Sequence, residues 1–183
     1  MKPFTVEARP AQRPAAEATD ESAVTIADCE FGKGLFAARP IAAGETILRF
    51  TGPLIGLADT IAKGDTEGNP LQVGPAHYID LEPPGVFVNH SCTPNAGIRD
   101  DVLLTALRPL AAGEHVCCDY STTMWEADER TAVGDTPWAM RCRCGSAQCR
   151  GTAGEFPTLP AALREHYLAL GIVQRFIVER MRR

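Results

Sequence analysis

The segment Val86-Phe87-Val88-Asn89-His90-Ser91-Cys92-Thr93-Pro94-Asn95 governs how the rest of this chain is interpreted. Its apolar beginning predicts a short buried strand, which runs directly into the polar side chains of Asn89, His90 and Ser91. Because an unpaired buried polar group costs about 1–3 kcal/mol, these side chains beside a cysteine predict a site whose partners come from elsewhere in the chain. The alternative is a strand end capped by a polar turn, which Pro94-Asn95 alone would indicate.

The composition is that of an ordinary globular protein, with 45% hydrophobic and 22% charged residues in 183. No apolar run approaches the roughly 20 residues that span a bilayer, and the N-terminus lacks the apolar core of a secretory signal. We therefore expect no membrane partner and an intracellular, cytoplasmic location, with nucleus or nucleoid left open. A net charge of −5 disfavours direct binding of nucleic acid, which requires Lys and Arg to neutralise phosphates.

Short apolar and β-branched runs separated by turns predict a mostly-β fold. The strands are expected at residues 23–27, 31–37, 47–50, 77–81, 102–107 and 115–120. Residues 56–74 are polar and Gly-rich and predict a surface loop or a short helix. Only the C-terminus has helical periodicity: apolar residues at spacings of three and four on either side of Gly171 predict two helices that cover the core.

One heptapeptide occurs twice. Residues 39–45 read RPIAAGE, and residues 108–114 read RPLAAGE. Each copy stands between two predicted strands, so each predicts a connecting turn with Gly at the position of unusual backbone angle. Two copies do not make a repeat protein, and they indicate that the sheet uses one strand–turn–strand device twice.

The seven cysteines indicate metal ligands or reactive thiols, because the count is odd and no export signal favours disulfides. Cys142, Cys144 and Cys149 form a compact C-x-C-x4-C cluster. Zinc takes four tetrahedral ligands in structural sites, so a His or Cys beside the Asn89–His90 motif is the natural candidate for the fourth. The alternative is three free thiols on a loop, which would have no packing purpose.

Four features, in this order, carry a family resemblance: the Gly32-Lys33-Gly34-Leu35 loop, the Asn-His-Ser-Cys-Thr-Pro-Asn segment, the Gly-Glu-x4-Asp-Tyr run and the trailing cysteines. Together they resemble a SET-domain protein-lysine methyltransferase with a post-SET zinc-binding segment, over roughly residues 24–151. The resemblance implies a SET-domain fold of several small sheets, with the Asn-His segment threaded as a pseudoknot. The chain would then divide into a flexible tail (1–22), a SET domain (23–135), a post-SET-like zinc segment (136–154) and C-terminal helices (155–183).

The resemblance also implies the ligands and the residues that hold them. The methyl donor would be S-adenosyl-L-methionine (SAM), and the acceptor a lysine in a protein or peptide. Tyr120 would be the catalytic residue, at the junction of cofactor and lysine. The implied SAM contacts are Phe31, Lys33, Gly34, Asn89, His90 and Tyr120, with Met124 or Trp125 as a lid over the adenine. The implied zinc ligands are Cys92, Cys142, Cys144 and Cys149.

Two residues are expected in the lysine channel. One is Tyr78, which has a core position as its alternative. The same alternative applies to Trp125, the residue suggested for the cofactor lid. The other is Cys118, where the family usually has Phe or Tyr; a small thiol leaves more room and predicts a dimethyl or trimethyl product. Two further departures, Val86 for the usual Arg and Phe50 for the usual Tyr, concern substrate recognition.

The predicted function is SAM-dependent methyl transfer to a lysine. The first alternative is a catalytically inactive SET module that acts as a peptide-binding or scaffold domain, and the second is a purely structural zinc-stabilised β domain. The presence of Tyr120 and of the Asn89-His90 pair favours the enzyme over both.

Overall fold

The structure, a computed structural model, describes residues 23–183, so the predicted tail at 1–22 lies outside the described residues. The strands are β1 (Val24–Cys29), β2 (Gly32–Ala37), β3 (Thr46–Arg49), β4 (Leu54–Gly56), β5 (Leu71–Gly74), β6 (His77–Ile79), β7 (Asn89–His90), β8 (Ala96–Arg99), β9 (Leu103–Ala106), β10 (Cys117–Cys118), β11 (Met140–Arg141) and β12 (Thr152–Ala153). The helices are α1 (Leu57–Ile61), α2 (Ala127–Ala132), α3 (Ala161–Leu170) and α4 (Arg175–Arg180). Short 3-10 turns lie at Gly64–Thr66, Gly85–Phe87, Tyr120–Thr122 and Phe156–Thr158. The mostly-β prediction is confirmed. Within residues 23–183, none of the helices has the length and apolar character needed to span a membrane.

The strands form five small sheets. Two are three-stranded and antiparallel, in the orders β3-β9-β8 and β4-β6-β5, and two are the hairpins β1-β2 and β11-β12. The fifth is the parallel pair β7-β10, which places Asn89 beside Cys117 and His90 beside Cys118. Parallel strands cannot be joined by a tight turn, so the chain between them makes a long excursion through β8 and β9 before it returns. The implied pseudoknot threading of this segment stays a prediction.

Two strand predictions in the central region were wrong. Residues 86–88 do not form a buried strand, because the preceding Pro-Pro-Gly begins the Gly85–Phe87 turn, in which the Val88 N–H donates to the Gly85 carbonyl (3.1 Å). Of residues 115–120, only Cys117–Cys118 is a strand. Tyr120 opens a 3-10 turn instead, because the Asp119 side chain accepts the Ser121 N–H and so caps that turn. The Gly-rich stretch 56–74 contains helix α1, as expected, but also strand β5, which was missed.

Both predicted C-terminal helices are present, and Gly171 between them adopts a left-handed conformation (φ 66°) that glycine accommodates without strain. They form an apolar cluster of their own, which includes Phe156, Tyr167, Ile172 and Ile177. This cluster packs directly on sheet β3-β9-β8. At Gly97 in β8, an added Cβ would lie 2.5 Å from Ile172 Cγ2, so only glycine permits this approach.

The two copies of the heptapeptide lie back to back. Ile41 and Leu110 pair through two backbone hydrogen bonds of 3.0 and 2.9 Å. The surrounding backbone hydrogen bonds form two matched pairs. In the first pair, the Gly44 N–H donates to the Ala106 carbonyl and the Gly113 N–H to the Ala37 carbonyl. In the second, the Ala106 N–H donates to the Glu45 carbonyl and the Ala37 N–H to the Glu114 carbonyl. Exchanging the copies reproduces the same set of bonds, so the two turns have an approximate local two-fold relation.

The glutamate of the second copy is also tied to the central motif. Glu114 pairs with Arg108 (2.6 Å) and accepts the Ala111 N–H (3.0 Å). The Asn95 side-chain amide donates to the same carboxylate (3.0 Å) and to the His115 carbonyl (2.8 Å). Chiefly because of the Arg108 hydrogen bond, the pKa of Glu114 is lowered from 4.5 to about 2.

A substitution at Glu114 should therefore have a pH-dependent cost. Because the folded-state pKa is depressed, the carboxylate stabilises the fold above pH 4.5, and this contribution is lost as the pH falls towards 2. We expect Glu114→Gln to lower the free energy of unfolding by about 1 kcal/mol at pH 7 and by progressively less below pH 4.5. Urea unfolding across this pH range measures the difference.

The control for that experiment is Glu165→Gln, which removes one negative charge from an exposed position on α3. A cost at Glu114 that is unchanged between pH 7 and pH 3, after subtraction of this control, would contradict the assignment.

Candidate functional site

Two cavities meet at Tyr120. The large cavity has a volume of about 640 Å³, and the small cavity has a volume of about 310 Å³. Tyr120 and Met140 line both. The two residues come from distant parts of the sequence, Tyr120 from the turn that follows β10 and Met140 from β11 in the predicted zinc segment. The boundary between the cavities therefore exists only when the C-terminal third of the chain is folded against the central motif.

The small cavity collects most of the residues predicted to contact SAM. Phe31, Asn89, His90 and Tyr120 line it, together with residues 140–144. Phe31 is exposed, with 43% of its surface accessible, so an apolar ring stands open at the entrance.

Lys33 and Gly34 do not line the small cavity but support it from behind. The Asn89 side-chain amide donates to the Lys33 carbonyl (3.0 Å), whereas the Lys33 ammonium pairs with Asp28 (2.8 Å). At Gly34, an added Cβ would lie 2.6 Å from His115 Nε2, so a larger residue would displace the groups that hold Asn89.

The large cavity has both polar and apolar walls, and its part near Tyr120 is apolar. Its walls near Tyr120 include Val88, Ile98, Cys118 and Met124. Cys118 ends strand β10 and Tyr120 opens the 3-10 turn that follows, and both residues line this cavity. Sequence reasoning missed Trp138, which forms part of the far wall and is nearly buried over the backbone of Gly68.

The two cavities carry opposite charge. The acidic and basic residues that line the large cavity are Asp65 and Glu67. Those that line the small cavity are Arg141 and Arg143. Glu67 is partly compensated by Arg130 at 3.4 Å, whereas Asp65 is exposed at the rim. A cationic ligand is therefore favoured on one side of Tyr120 and an anionic group on the other.

Tyr120 is held by two hydrogen bonds. Its hydroxyl donates to the Val88 carbonyl (2.7 Å), and its backbone N–H donates to His90 Nδ1 (3.2 Å). Burial, with the nearby Cys118 and Cys117 thiols, raises the pKa of the phenol well above its ordinary value. Tyr120 is therefore protonated at physiological pH.

His90 connects this tyrosine to the cysteines. Since Nδ1 accepts the Tyr120 N–H, the ring proton lies on Nε2, which is 3.4 Å from Cys92 Sγ. Burial lowers the pKa of His90, which favours this neutral form. Asn89 and His90 thus have the distant partners that were predicted, whereas the Ser91 hydroxyl accepts the N–H of the nearby Thr93 (3.2 Å).

Four sulfurs form a compact group. The Sγ atoms of Cys92, Cys142, Cys144 and Cys149 all lie within 4.8 Å of one another, with Cys92–Cys142 at 3.7 Å and Cys142–Cys149 at 3.6 Å. Around a tetrahedral ion with metal–sulfur bonds of about 2.3 Å, neighbouring sulfurs are about 3.8 Å apart. The backbone N–H of Arg150 donates to Cys92 Sγ (3.4 Å), an interaction that stabilises a thiolate. The cluster could therefore hold a metal ion with little rearrangement.

Two residues predicted at the site lie away from both cavities. Tyr78 is 1% exposed and donates its hydroxyl to the buried Glu126. Trp125 packs against the C-terminal cluster, with the Arg180 guanidinium 4.8 Å from its ring centroid. Neither residue lines the large or the small cavity. These positions favour the core alternative for both residues, and of the two candidates for the lid only Met124 lines a cavity, the large one.

Comparison with known proteins gives a consistent family match. The family model of the SET domain matches residues 32–121. Histone-lysine N-methyltransferase ASHH3 of Arabidopsis thaliana is 27% identical over 146 residues, which cover 70% of this chain and 37% of that protein. Histone-lysine N-methyltransferase ash1 of Drosophila melanogaster is 29% identical over 139 residues, or 67% of this chain and 6% of that protein. The chain thus spans little more than a third of the first relative and a small fraction of the second.

A solved structure extends the match to the fold. A humanized mutant of the Chaetomium thermophilum Polycomb Repressive Complex 2, bound to the inhibitor GSK126, superposes with a TM-score of 0.50 at 22% identity. The superposition covers 58% of this chain and 16% of the other. At this identity the likeness concerns the fold alone.

Proposed function

This chain is a SET-domain protein, and from that premise we propose that it transfers a methyl group from SAM to the side-chain amine of a lysine in a protein substrate. The matched relatives are named as histone-lysine methyltransferases, which supports both the reaction and the class of substrate. The observation that carries the proposal is the meeting of two cavities at one half-buried tyrosine, Tyr120.

We assign the small cavity to SAM. When bound, SAM supplies a sulfonium methyl group, the electrophile that an uncharged lysine amine attacks in line. SAM also carries a carboxylate, which suits the lining guanidinium groups of Arg141 and Arg143. Asn89 and His90 present polar edges to the same space, and Phe31 offers an exposed ring that can cover an apolar face of the ligand.

We assign the large cavity to the substrate lysine. A free lysine has a pKa of about 10.4, so neutralising it at pH 7 costs about 4–5 kcal/mol. The apolar wall formed by Val88, Ile98 and Cys118 excludes water from the amine and thereby favours the neutral form. Asp65 and Glu67 attract the lysine in its charged form before the amine reaches that wall.

Tyr120 is then the catalytic residue, in the sense that it aligns the reacting groups. Its ring stands between the cavities, and its hydroxyl is fixed on the Val88 carbonyl. Alignment of two reactants can contribute about 7–11 kcal/mol without a covalent intermediate. The residues of this chain therefore need to bind, orient and desolvate, and none has to act as a nucleophile.

We infer that the four-cysteine cluster holds one structural zinc ion. All-thiolate sets of this spacing suit zinc, and the four sulfurs leave no ligand position open. The cluster joins Cys92 of the central motif to residues 142–149, and Met140, which lines both cavities, belongs to the same segment. Residues 136–154 would thus act as a zinc segment that completes the small cavity, next to a SET domain at 23–135.

The zinc assignment predicts that metal and cofactor are lost together. We expect the purified chain to contain one zinc ion, and Cys144→Ser to lose the ion and at least tenfold in SAM affinity, because residues 140–144 line the small cavity. Elemental analysis and calorimetry measure the two quantities. Cys117→Ser is the matched control, since Cys117 lies outside the cluster. Unchanged SAM affinity in a metal-free Cys144→Ser protein would contradict the assignment.

The catalytic assignment predicts that Tyr120→Phe abolishes turnover and spares binding. We expect kcat to fall by at least about a hundredfold, because the reacting groups lose their orientation, with SAM affinity changed less than threefold. Transfer of a labelled methyl group to a library of lysine peptides measures turnover.

Tyr78→Phe is the control for Tyr120→Phe, because it removes another buried hydroxyl from a residue outside both cavities. A comparable loss in this control would return Tyr78 to the channel, and near-normal turnover in Tyr120→Phe would remove Tyr120 from the mechanism. SAM binding without transfer to any lysine by the wild-type chain would favour the inactive peptide-binding module.

The small side chain of Cys118 predicts the product. Because a thiol leaves more room beside Tyr120 than an aromatic ring, we expect dimethyl-lysine or trimethyl-lysine by mass spectrometry. Cys118→Phe should narrow the large cavity and shift the product towards monomethyl-lysine. A strictly monomethyl product from the wild-type chain would contradict this prediction.

A further inference from the structure

We propose that Tyr167 in helix α3 is a positioning residue for Tyr120, so that the C-terminal helices take part in methyl transfer and do more than cover the core. The proposal rests on the function proposed above for Tyr120. It is carried by the surroundings of one buried carboxylate, that of Asp119, which immediately precedes Tyr120.

Asp119 is saturated by donors from three parts of the chain. Its side chain is inaccessible to solvent and receives two hydrogen bonds from the Arg150 guanidinium, at 2.7 and 2.8 Å. The Tyr167 hydroxyl donates to Oδ2 at 2.9 Å, and the Ser121 N–H donates to Oδ1 at 3.1 Å. Each carboxylate oxygen thus has two donors, which fixes the plane of the group as well as its position.

The orientation of this carboxylate determines where the Tyr120–Thr122 turn begins. Asp119 is the cap of the turn, and Tyr120 is its first residue. The Arg150 guanidinium also donates to Ser121 Oγ (3.1 Å), inside the same turn. A rotation of the Asp119 side chain would therefore displace the backbone that carries the Tyr120 ring.

A second contact between the C-terminal helices and this turn is independent of Asp119. The Gln174 N–H, at the start of α4, donates to the Thr122 carbonyl at 3.1 Å. One helix thus bonds the residue before the turn, and the other bonds the last residue of the turn. Helices that served only as apolar cover would not need to bond both ends of one catalytic turn.

The hydroxyl of Tyr167 is the part of the residue that requires an explanation. The ring is 2% exposed and packs in the apolar cluster with Phe156 and Ile172, where phenylalanine would serve equally well. The hydroxyl instead reaches a buried charge that already has a bidentate partner in Arg150. Without it, Oδ2 would keep only the Arg150 donor, and one of the four hydrogen bonds that fix the carboxylate would be lost.

The test compares Tyr167→Phe with Ile177→Val in the full chain. Each substitution makes a small change to a buried side chain of the same cluster. Ile177→Val removes only aliphatic carbon from α4, whereas Tyr167→Phe removes the hydroxyl that bonds Asp119. We expect Tyr167→Phe to lower kcat about tenfold with the KM for SAM changed less than threefold, because a small displacement of Tyr120 misaligns the reaction without altering the small cavity. Ile177→Val should leave kcat within twofold of the wild type.

Amide hydrogen exchange provides a readout that does not depend on activity. In Tyr167→Phe, we expect the amides of Ser121 and Thr122 to exchange at least tenfold faster, since one donates to Asp119 Oδ1 and the other to the Asp119 carbonyl (3.0 Å). In Ile177→Val these amides should keep their wild-type rates.

The proposal requires the loss in kcat and the faster exchange in Tyr167→Phe, and neither change in Ile177→Val. Any other combination overturns it, including equal losses in both variants, which would mean that the helices contribute only stability. If the wild-type chain transfers no methyl group, the function proposed for the site is wrong. The exchange rates alone then decide whether Tyr167 positions the turn.

Discussion

The parallel pairing of Asn89–His90 with Cys117–Cys118 is the contact on which the site depends. A pairing of two residues on each strand is enough to hold the site together, because the His90 side chain makes contacts beyond the pair. His90 accepts the Tyr120 N–H at one ring nitrogen and lies 3.4 Å from Cys92 Sγ at the other. A two-residue ladder of this kind has little stability of its own, and it persists because buried side chains hold it from both ends.

Charge separates the two ligands that such a site must hold at the same time. Under the proposed function, the positive sulfonium of SAM repels a lysine that is still an ammonium, so the amine has to lose its proton before it reacts. Asp65 and Glu67 line the cavity on one side of Tyr120, where they attract the ammonium, and Arg141 and Arg143 line the cavity on the other side, where they suit the carboxylate of SAM. Both pairs are at cavity walls rather than at the junction, so the junction itself is left to uncharged groups whose main effect is geometric.

The sequence was most informative where chemistry is local. Asn89, His90, Cys92 and Tyr120 stand in short motifs whose side chains have few uses other than a site, and all four are found around it. Side chains whose placement depends on register or on tertiary packing were harder to predict. Tyr78 and Trp125 are aromatic residues of the kind that line channels. However, the Tyr78 hydroxyl bonds the Glu126 carboxylate, and Trp125 packs against the C-terminal apolar cluster, so neither lines a cavity.

The Gly-rich stretch 56–74 illustrates the other limit of sequence reasoning. Its composition indicated a surface loop or a short helix, and nothing in its pattern showed that Asp65 and Glu67 would line a cavity built largely by distant residues. Likewise, nothing in the sequence indicates that Asp119 and Tyr167 are in contact, since 47 residues lie between them and one is beside a turn while the other is in a helix. Such contacts are decided only when the helices dock on Gly97.

The back-to-back heptapeptides have a consequence for the order of assembly. Each copy directs backbone donors and acceptors to the other copy, so neither turn can complete its hydrogen bonds while its partner is unformed. The intervening polypeptide, which includes the whole central motif, must be synthesised and looped before either one closes. A nascent chain that ends before the second copy therefore lacks the means to fix the first, and non-local closure of this kind slows folding.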